Sequence, residues 1–303
     1  MRDFAAVAAE IIRNDPELAA CAPAVEKELL HHELLGAMSE AGFLHRLVFK
    51  GGTCLRLCHG GLRLSEDLDF SGGASFDDAM MDGLESLLVD RFANRYGLEV
   101  SVKPPRGNRE GSESDVRRWV ARVVTRPAGQ ASRLEGVQRI KIEIDRRDHH
   151  PQGTMTLPLQ QRYAMLQAND PGSPIRAASM TDIGSDKLIA LPMSVMTRNN
   201  PRHRDAWDLE WIIERTGDTD GLAAEAARKA SSRGIGEQYV NALRQTMERA
   251  GEVIESAGFQ DTLRRFLPER VAANTVGARW HRQRLTATVQ SLCSKALLML
   301  DSE

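Results

Sequence analysis

Cysteine is scarce in this chain, four in 303 residues, which excludes the disulfide frameworks that staple small secreted domains. Cys54 and Cys58 also fall in a segment of helical patterning rather than in loops, so a reducing cytoplasm is the expected compartment. No apolar run approaches the roughly 20 residues that cross a bilayer, and no membrane partner is expected. The stretch from Met1 to Glu17 carries Asp3, Glu10 and Asp15 inside its apolar pattern, against the unbroken hydrophobic run of a signal peptide. Net charge is nearly absent, at -2, so a polynucleotide partner would have to be held by local basic patches rather than a global field. Internal repeats and low-complexity tracts are also missing. What remains, 42% hydrophobic and 27% charged residues, can bury a core and fill about two domains.

Periodicity organises the chain. Phe4 to Ala41 reads as two helices broken near Asp15-Pro16 and Ala22-Pro23, with Val25, Leu29, Leu30, Leu34 and Leu35 at helical spacing. Leu47-Val48-Phe49 reads as a strand, followed by the glycine turn at Lys50-Gly51-Gly52 and a short helix from Thr53 to His59. A second strand is expected over Leu64 to Phe70 and a helix over Ser75 to Tyr96. Three further strands are expected at Leu98 to Val102, Val116 to Thr125 and Val137 to Asp145, joined by polar loops at Arg106 to Ser114 and Arg126 to Gly136. Strands mixed with helices at this density predict a sheet with helices on its faces. From Asp182 onward the pattern is helical, ending in a long helix around Trp280 to Leu300, and composition shifts near Ala168 to Gly172. Residues 1–170 are therefore expected to form the sheet domain and 171–303 a helical one.

Alternation within a strand places Ser65, Asp67 and Asp69 on one face and Leu64, Leu68 and Phe70 toward the core. Paired carboxylates repel unless a cation neutralises them, so Asp67 and Asp69 make a natural site for magnesium or manganese. Lys141, Glu143 and Asp145 share one face of a strand whose other face is Ile140, Ile142 and Ile144. Glu143 could thus supply a third metal ligand if the strands are neighbours, with Asp145 the competing candidate. Lys50, Gly51, Gly52 and Thr53 supply a phosphate end, since glycine lets backbone approach an anion and the next helix points its amides there. Arg56 and Lys187 could pair with phosphate oxygens.

The implied chemistry is in-line attack of an acceptor hydroxyl on the α-phosphate of a nucleoside triphosphate, with pyrophosphate leaving. Each part has a plainer reading. Gly-Gly-Thr can be only a turn, Asp-x-Asp a solvated strand edge, and Lys141, Glu143 and Asp145 the wet face of an amphipathic strand. Their occurrence together, in this order, favours chemistry.

The pattern Lys50-Gly51-Gly52-Thr53-x-Leu55-Arg56 followed by Leu64-Ser65-Glu66-Asp67-Leu68-Asp69-Phe70 resembles the AbiEii/AbiGii nucleotidyltransferase toxins, of the polymerase-β-like nucleotidyltransferase superfamily. Lys187-Leu188-x-Ala190-Leu191 and Arg204-Asp205-x-x-Asp208-Leu209 continue the resemblance, which spans roughly Val48 to Leu209. It implies an α+β fold, a mixed sheet with flanking helices plus a carboxy-terminal helical domain, and binding of NTP and magnesium. It further implies Ser65 as part of the signature, Asp67 and Asp69 as metal ligands, Lys187 as a triphosphate contact and Asp205 as a further active-site carboxylate. Members act as toxins of toxin-antitoxin or phage-defence systems, and some modify the acceptor end of tRNA. The expected partners are thus NTP, an RNA acceptor such as tRNA, and an antitoxin protein from a neighbouring gene. Two departures stand out: Pro192 falls in the helix carrying Lys187, where it should break or kink it, and the long spacing to Arg204 leaves open whether Arg198 replaces a family arginine.

Other residues carry less. Trp207, Trp211 and Ile212 are expected in the helical core. Cys54, Cys58 and His59 lack the ligand count of a zinc site and read as core. Asp148-His149-His150 reads as a solvated turn. Asp205 and Asp208, three apart on a helix, suit a functional cleft or an exposed acidic edge. Arg117, Arg118, Arg122, Arg126, Arg133, Arg139, Arg279, Arg282 and Arg284 suit either solvated surfaces or a groove for an RNA backbone. A protein or small-molecule acceptor, and a non-catalytic nucleotide-binding module, are the alternatives.

Overall fold

The computed structural model describes residues 3–105, 115–125, 136–146, 153–163, 172–197 and 201–301. The turn at 148–150, Arg126, Arg133 and Arg198 lie outside the described residues. Two compact units result, Met1–Ala178 and Ser179–Glu303. The division falls slightly later than composition suggested, because the strand over residues 174–177 pairs into the sheet of the first unit.

In the first unit, α1 (Phe4–Asn14) is capped by Asp3, whose side chain accepts from the Ala6 amide at 3.1 Å. A 3-10 turn at Pro16–Cys21 leads into α2 (Ala22–Glu40), so the two prolines sit in first turns, where a missing N–H costs little. The stripe Val25, Leu29, Leu30, Leu34 and Leu35 is buried.

Seven strands form one mixed sheet: β1 (Val48–Lys50), β2 (Leu68–Ser71), β3 (Glu99–Lys103), β4 (Val116–Val124), β5 (Val137–Asp145), β6 (Met155–Pro158) and β7 (Pro174–Ala177). Their order is β3-β4-β5-β2-β1-β7-β6, with β1–β7 and β2–β5 parallel and the other pairs antiparallel. Helix α3 (Gly51–Leu57) follows β1 directly, and α4 (Leu84–Tyr96) precedes β3.

One face of β4 and β5 is apolar and fully covered, with Ala121, Val123, Ile140, Ile142 and Ile144 all inaccessible. Phe76 meets Trp119 edge-on at 6.0 Å, Gln138 donates to Glu26 of α2 at 3.1 Å, and the Val102 amide donates to Glu85 of α4 at 3.0 Å. The opposite face holds the polar residues of the alternation.

Three local expectations change. The strand expected from Leu64 begins only at Leu68, since the preceding segment is tied to α3 by a hydrogen bond from the Thr53 hydroxyl to the Asp67 carbonyl. The helix expected from Ser75 is split by Gly83, at φ 84°, into a 3-10 turn (Asp78–Met81) and α4. Strands β6 and β7 were not legible, being four residues each and bounded by Pro158 and Pro174.

The second unit is helical: α5 (Met180–Thr197), α6 (His203–Thr216), α7 (Thr219–Ser232), α8 (Gly236–Glu255), α9 (Ala257–Arg264), α10 (Glu269–Asn274) and α11 (Arg279–Leu300). Trp207, Trp211 and Ile212 are buried in it. Pro192 does not end α5, which runs on to Thr197. A proline at 192 leaves the Leu188 carbonyl without its helical N–H partner, and the fully buried Tyr239 of α8 donates its hydroxyl to that oxygen at 3.1 Å. The orphaned acceptor is satisfied from another helix, and the ladder resumes. Lys229, also fully buried, is neutralised by Asp182 at 2.8 Å and Asp186 at 3.2 Å. Among the described residues, no helix is long and apolar enough to cross a membrane.

Candidate active site

Register assembles the carboxylates. Lys50 of β1 pairs with Asp69 of β2, Asp69 with Glu143 of β5, and Glu143 with Arg118 of β4. Residues directly opposite in neighbouring strands share a face, so Lys50, Asp69, Glu143 and Arg118 form one row across four strands on the polar face. One step along β5 lies Lys141, whose amine meets the Asp67 carboxylate at 3.2 Å. One step the other way lies Asp145, in register with Ser71, which meets the Lys50 amine at 3.3 Å. Arg118 holds Glu143 at 2.6 Å. The strand face therefore alternates sign, with Lys141 on Asp67, Arg118 on Glu143 and Lys50 on Asp145.

The glycine turn is shaped by these same groups. Gly51 has φ +77°, and a Cβ there would collide with the Asp69 carboxylate, 2.9 Å from its Cγ. A Cβ on Gly52 would stand 2.7 Å from the Arg63 guanidinium and 2.9 Å from the Ser65 hydroxyl. Both glycines are thus needed for Asp69, Ser65 and Arg63 to close on the turn. Thr53, buried, points its hydroxyl at the Asp67 carbonyl and so fixes the carboxylate segment against α3. Lys50, the residue before α3, offers no side-chain cap to that helix.

Arg56 departs from expectation. It is buried and bidentate to Glu28 of α2, at 2.8 and 3.1 Å, with its remaining donors on the Gly61 and Leu62 carbonyls at 3.1 and 3.3 Å. Burial acts to raise the Glu28 pKa, but the Arg56 charge and hydrogen bonds outweigh it and hold the carboxyl ionised. Arg56 is a core strut joining α2 to α3, its donors taken by Glu28 and the Gly61 and Leu62 carbonyls. Arg63 is the buried cation that instead approaches Gly52, with one donor on the Leu64 carbonyl at 2.7 Å. Its only signal in the sequence was its place two residues before Ser65. Cys54 and Cys58 are free and buried, burial raising the Cys54 thiol pKa well above its ordinary value.

Lys187 and Asp205 belong to the second unit, where they meet each other. The Lys187 amine is held by Asp205 at 2.7 Å and Asp208 at 2.8 Å, and Arg202 reaches Asp205 from outside. Burial would raise the Asp205 pKa, but Lys187 and then Arg202 keep it well below the usual carboxylate range. Asp205 and Asp208 are thus buried, not an exposed acidic edge.

Among the described residues no three His, Cys, Asp or Glu side chains converge as a ready metal cage, because Asp67 and Glu143 turn toward Lys141 and Arg118. The donor set nevertheless suits a hard divalent cation, being all carboxylate oxygen from β2, the residue just before it, and β5. Lys141 and Arg118 are about half exposed, at 47% and 55%. Turning either away breaks a surface ion pair, a loss of about 0.2–1 kcal/mol, small beside the repulsion a divalent ion would relieve. Asp67, Asp69 and Glu143 therefore fit such an ion. Asp145 fits it less well, since its register partner is Ser71 and its carboxylate serves Lys50.

Comparison with known proteins bears on this geometry. The family model described as nucleotidyl transferase AbiEii toxin, type IV toxin-antitoxin system, matches residues 33–286. Among curated proteins none matches significantly. Among solved structures, MenT4, a nucleotidyltransferase toxin of Mycobacterium tuberculosis H37Rv, superposes with TM-score 0.55 at 20% identity, covering 97% of this chain and 98% of that one. JHP933 from Helicobacter pylori gives TM-score 0.47 at 18% identity, with 91% and 93% covered. The first of these likenesses supports the fold.

Proposed function

Because the chain belongs to the AbiEii family of nucleotidyltransferase toxins of type IV toxin-antitoxin systems, we propose that it transfers a nucleoside monophosphate from an NTP to an RNA acceptor, tRNA being the first candidate, in a reaction dependent on magnesium or manganese. The observation that carries the reading is the parallel β2–β5 register, which sets Asp69 beside Glu143 two residues from Asp67, with the Asp69 carboxylate lying against Gly51.

Asp67, Asp69 and Glu143 would hold the divalent ion, which when bound supplies charge neutralisation for the triphosphate and the leaving pyrophosphate. Gly51 and Gly52 let the Asp69 carboxylate, the Arg63 guanidinium and the Ser65 hydroxyl close on the turn. Ser65 and Arg63 present a hydroxyl and a guanidinium at Gly52, both able to donate to a phosphate oxygen. Lys50 stands next to Asp69 in register and can exchange Asp145 for phosphate. Lys141 and Arg118, once released from Asp67 and Glu143, leave two cations beside the reacting centre. In the transfer, an acceptor oxygen bonds to the α-phosphorus, the bond to the β-phosphate bridge breaks, and the hydroxyl proton passes to solvent. The roles of Lys187 as triphosphate contact and Asp205 as catalytic carboxylate enter this reading from the family motif alone. A cognate antitoxin is expected from a neighbouring gene, and the reaction is expected in the cytoplasm.

The test is incubation of the purified protein with each α-labelled NTP, total RNA and magnesium or manganese. Label should appear on RNA with the metal, and disappear with chelator and in Asp67→Ala. Label on protein or on a small molecule, with none on RNA, overturns the acceptor assignment; no transfer to anything overturns the enzyme reading.

A further inference from the structure

The polar sheet face does not end at the carboxylates. In the β4–β5 register Arg122 lies directly opposite Arg139, and Val120 opposite Lys141; in the β3–β4 register Val120 also faces Lys103. Lys103, Lys141, Arg118 and Arg139 are exposed and Arg122 half-buried. Five cations thus share one face of β3, β4 and β5, Arg122 directly opposite Arg139 and Lys103 and Lys141 on either side of Val120, with strands about 5 Å apart and same-face residues about 7 Å apart along them. Lys141 and Arg118 join this field to the row containing Asp69 and Glu143.

The Arg122–Arg139 pairing is the informative part. Like charges directly opposite one another destabilise a sheet. Among the described residues, no carboxylate or other hydrogen-bonding partner engages Arg122, Arg139 or Lys103. The row of Arg118, Glu143 and Asp69 mixes signs, whereas here cations predominate and the carboxylate on this face of β3 is Glu99, diagonal to Arg122. A repeated anion laid across the strands would neutralise the pair and reach Lys103 and Lys141 in the same pass. The chain as a whole carries -2, so the attraction is local.

We propose that the open face of β3, β4 and β5, centred on Arg122, Arg139, Lys103 and Lys141, is the track on which the backbone of the acceptor RNA lies as its reactive end enters the Asp67-Asp69-Glu143 cluster. This rests on the RNA-transfer reading above and adds the surface that recognises the acceptor. Phosphate contacts of this kind position a chain without reading its bases, so the track sets reach and register, while base selection falls to other groups.

The experiment compares the full-length protein with Arg122→Gln/Arg139→Gln, using a fluorescent bulk tRNA pool as probe and anisotropy across a salt series. Relief of like-charge repulsion should keep or raise the thermal midpoint of the variant, so lost binding would not reflect unfolding. The variant is expected to bind about tenfold more weakly at low salt, and its log-log salt slope to flatten by about 1.4 for two phosphate contacts with a single strand. Equal affinity and slope in both proteins, or no binding by either, overturns the track. Labelling of RNA by the unmodified protein, read separately, reports on the transfer reading. RNA labelling with unchanged variant binding sinks only the track, and Arg122- and Arg139-dependent binding without labelling sinks only the transfer.

Discussion

Gly51→Ala tests the link between the turn and the carboxylates. Gly51 sits at φ +77°, in the left-handed region, where an L-residue costs roughly 1–2 kcal/mol. The added Cβ also collides with the Asp69 carboxylate, 2.9 Å from its Cγ, so either the strand or the carboxylate must shift. The sum is expected at about 2–3 kcal/mol, within the range for strained backbone sites. Because a displacement near 1 Å at a reacting centre can reduce rate about a hundredfold, transfer activity should fall by more than stability alone explains. The decisive assay is denaturant unfolding of Gly51→Ala in two backgrounds. In Asp69→Ala the carboxylate contacts are gone, leaving the φ cost of roughly 1–2 kcal/mol and a tight approach of 3.0 Å to the Cβ of residue 69; the difference is the coupling of Gly51 to the Asp69 carboxylate. An identical cost in both backgrounds would refute the placement of the Asp69 carboxylate on the turn, and no cost in either would refute the positive φ.

Arg56→Gln should destabilise the protein by about 3–5 kcal/mol by leaving Glu28 buried without its partner, seen as loss of folded protein in denaturant titration rather than as a raised KM for NTP. Tyr239→Phe should cost about 1–3 kcal/mol by orphaning the Leu188 carbonyl, and much less in a Pro192→Ala background that restores the helical donor; equal costs in the two backgrounds would discount the compensation. Glu210 is pushed up to about 7, burial leading and Arg284 opposing. An acid whose folded pKa exceeds its unfolded 4.5 loses stability as pH rises through that window, so Glu210→Gln should flatten the fall in thermal midpoint from pH 4.5 to about 7. His281, lowered to about 4 by burial, acts in the opposite sense below its ordinary value and lies 3.1 Å from the Glu210 carboxylate, so the comparison that isolates the glutamate is Glu210→Gln made in a His281→Gln background.

Much of the site was readable because strand alternation is a local rule. The isoleucines at 140, 142 and 144 announced which face of β5 was core, and so where Lys141, Glu143 and Asp145 had to stand. The run from Lys50 to Thr53 likewise signalled a sharp turn. Arg56 misled for a physical reason: helical phase relative to a turn depends on which side another helix packs, and α2 supplies Glu28 from 28 residues away. Pro192 does not end its helix, and the carbonyl it orphans is satisfied by a hydroxyl 51 residues away, which local sequence cannot show.

By itself the chain's order of residues determined most of the longer elements, their buried stripes, the sheet-then-helix organisation and the identity of the acidic and basic groups, because these follow from spacing within a few residues, while β6, β7 and the late start of β2 did not. Only tertiary structure decided that β2 and β5 lie side by side in parallel, that Asp69 faces Glu143, that Arg63 rather than Arg56 reaches the glycines, and that Arg122 confronts Arg139. Strand pairing joins residues some 75 positions apart, from Asp69 to Glu143. Nothing in local periodicity encodes that choice; it is made by burying several elements against one core at once.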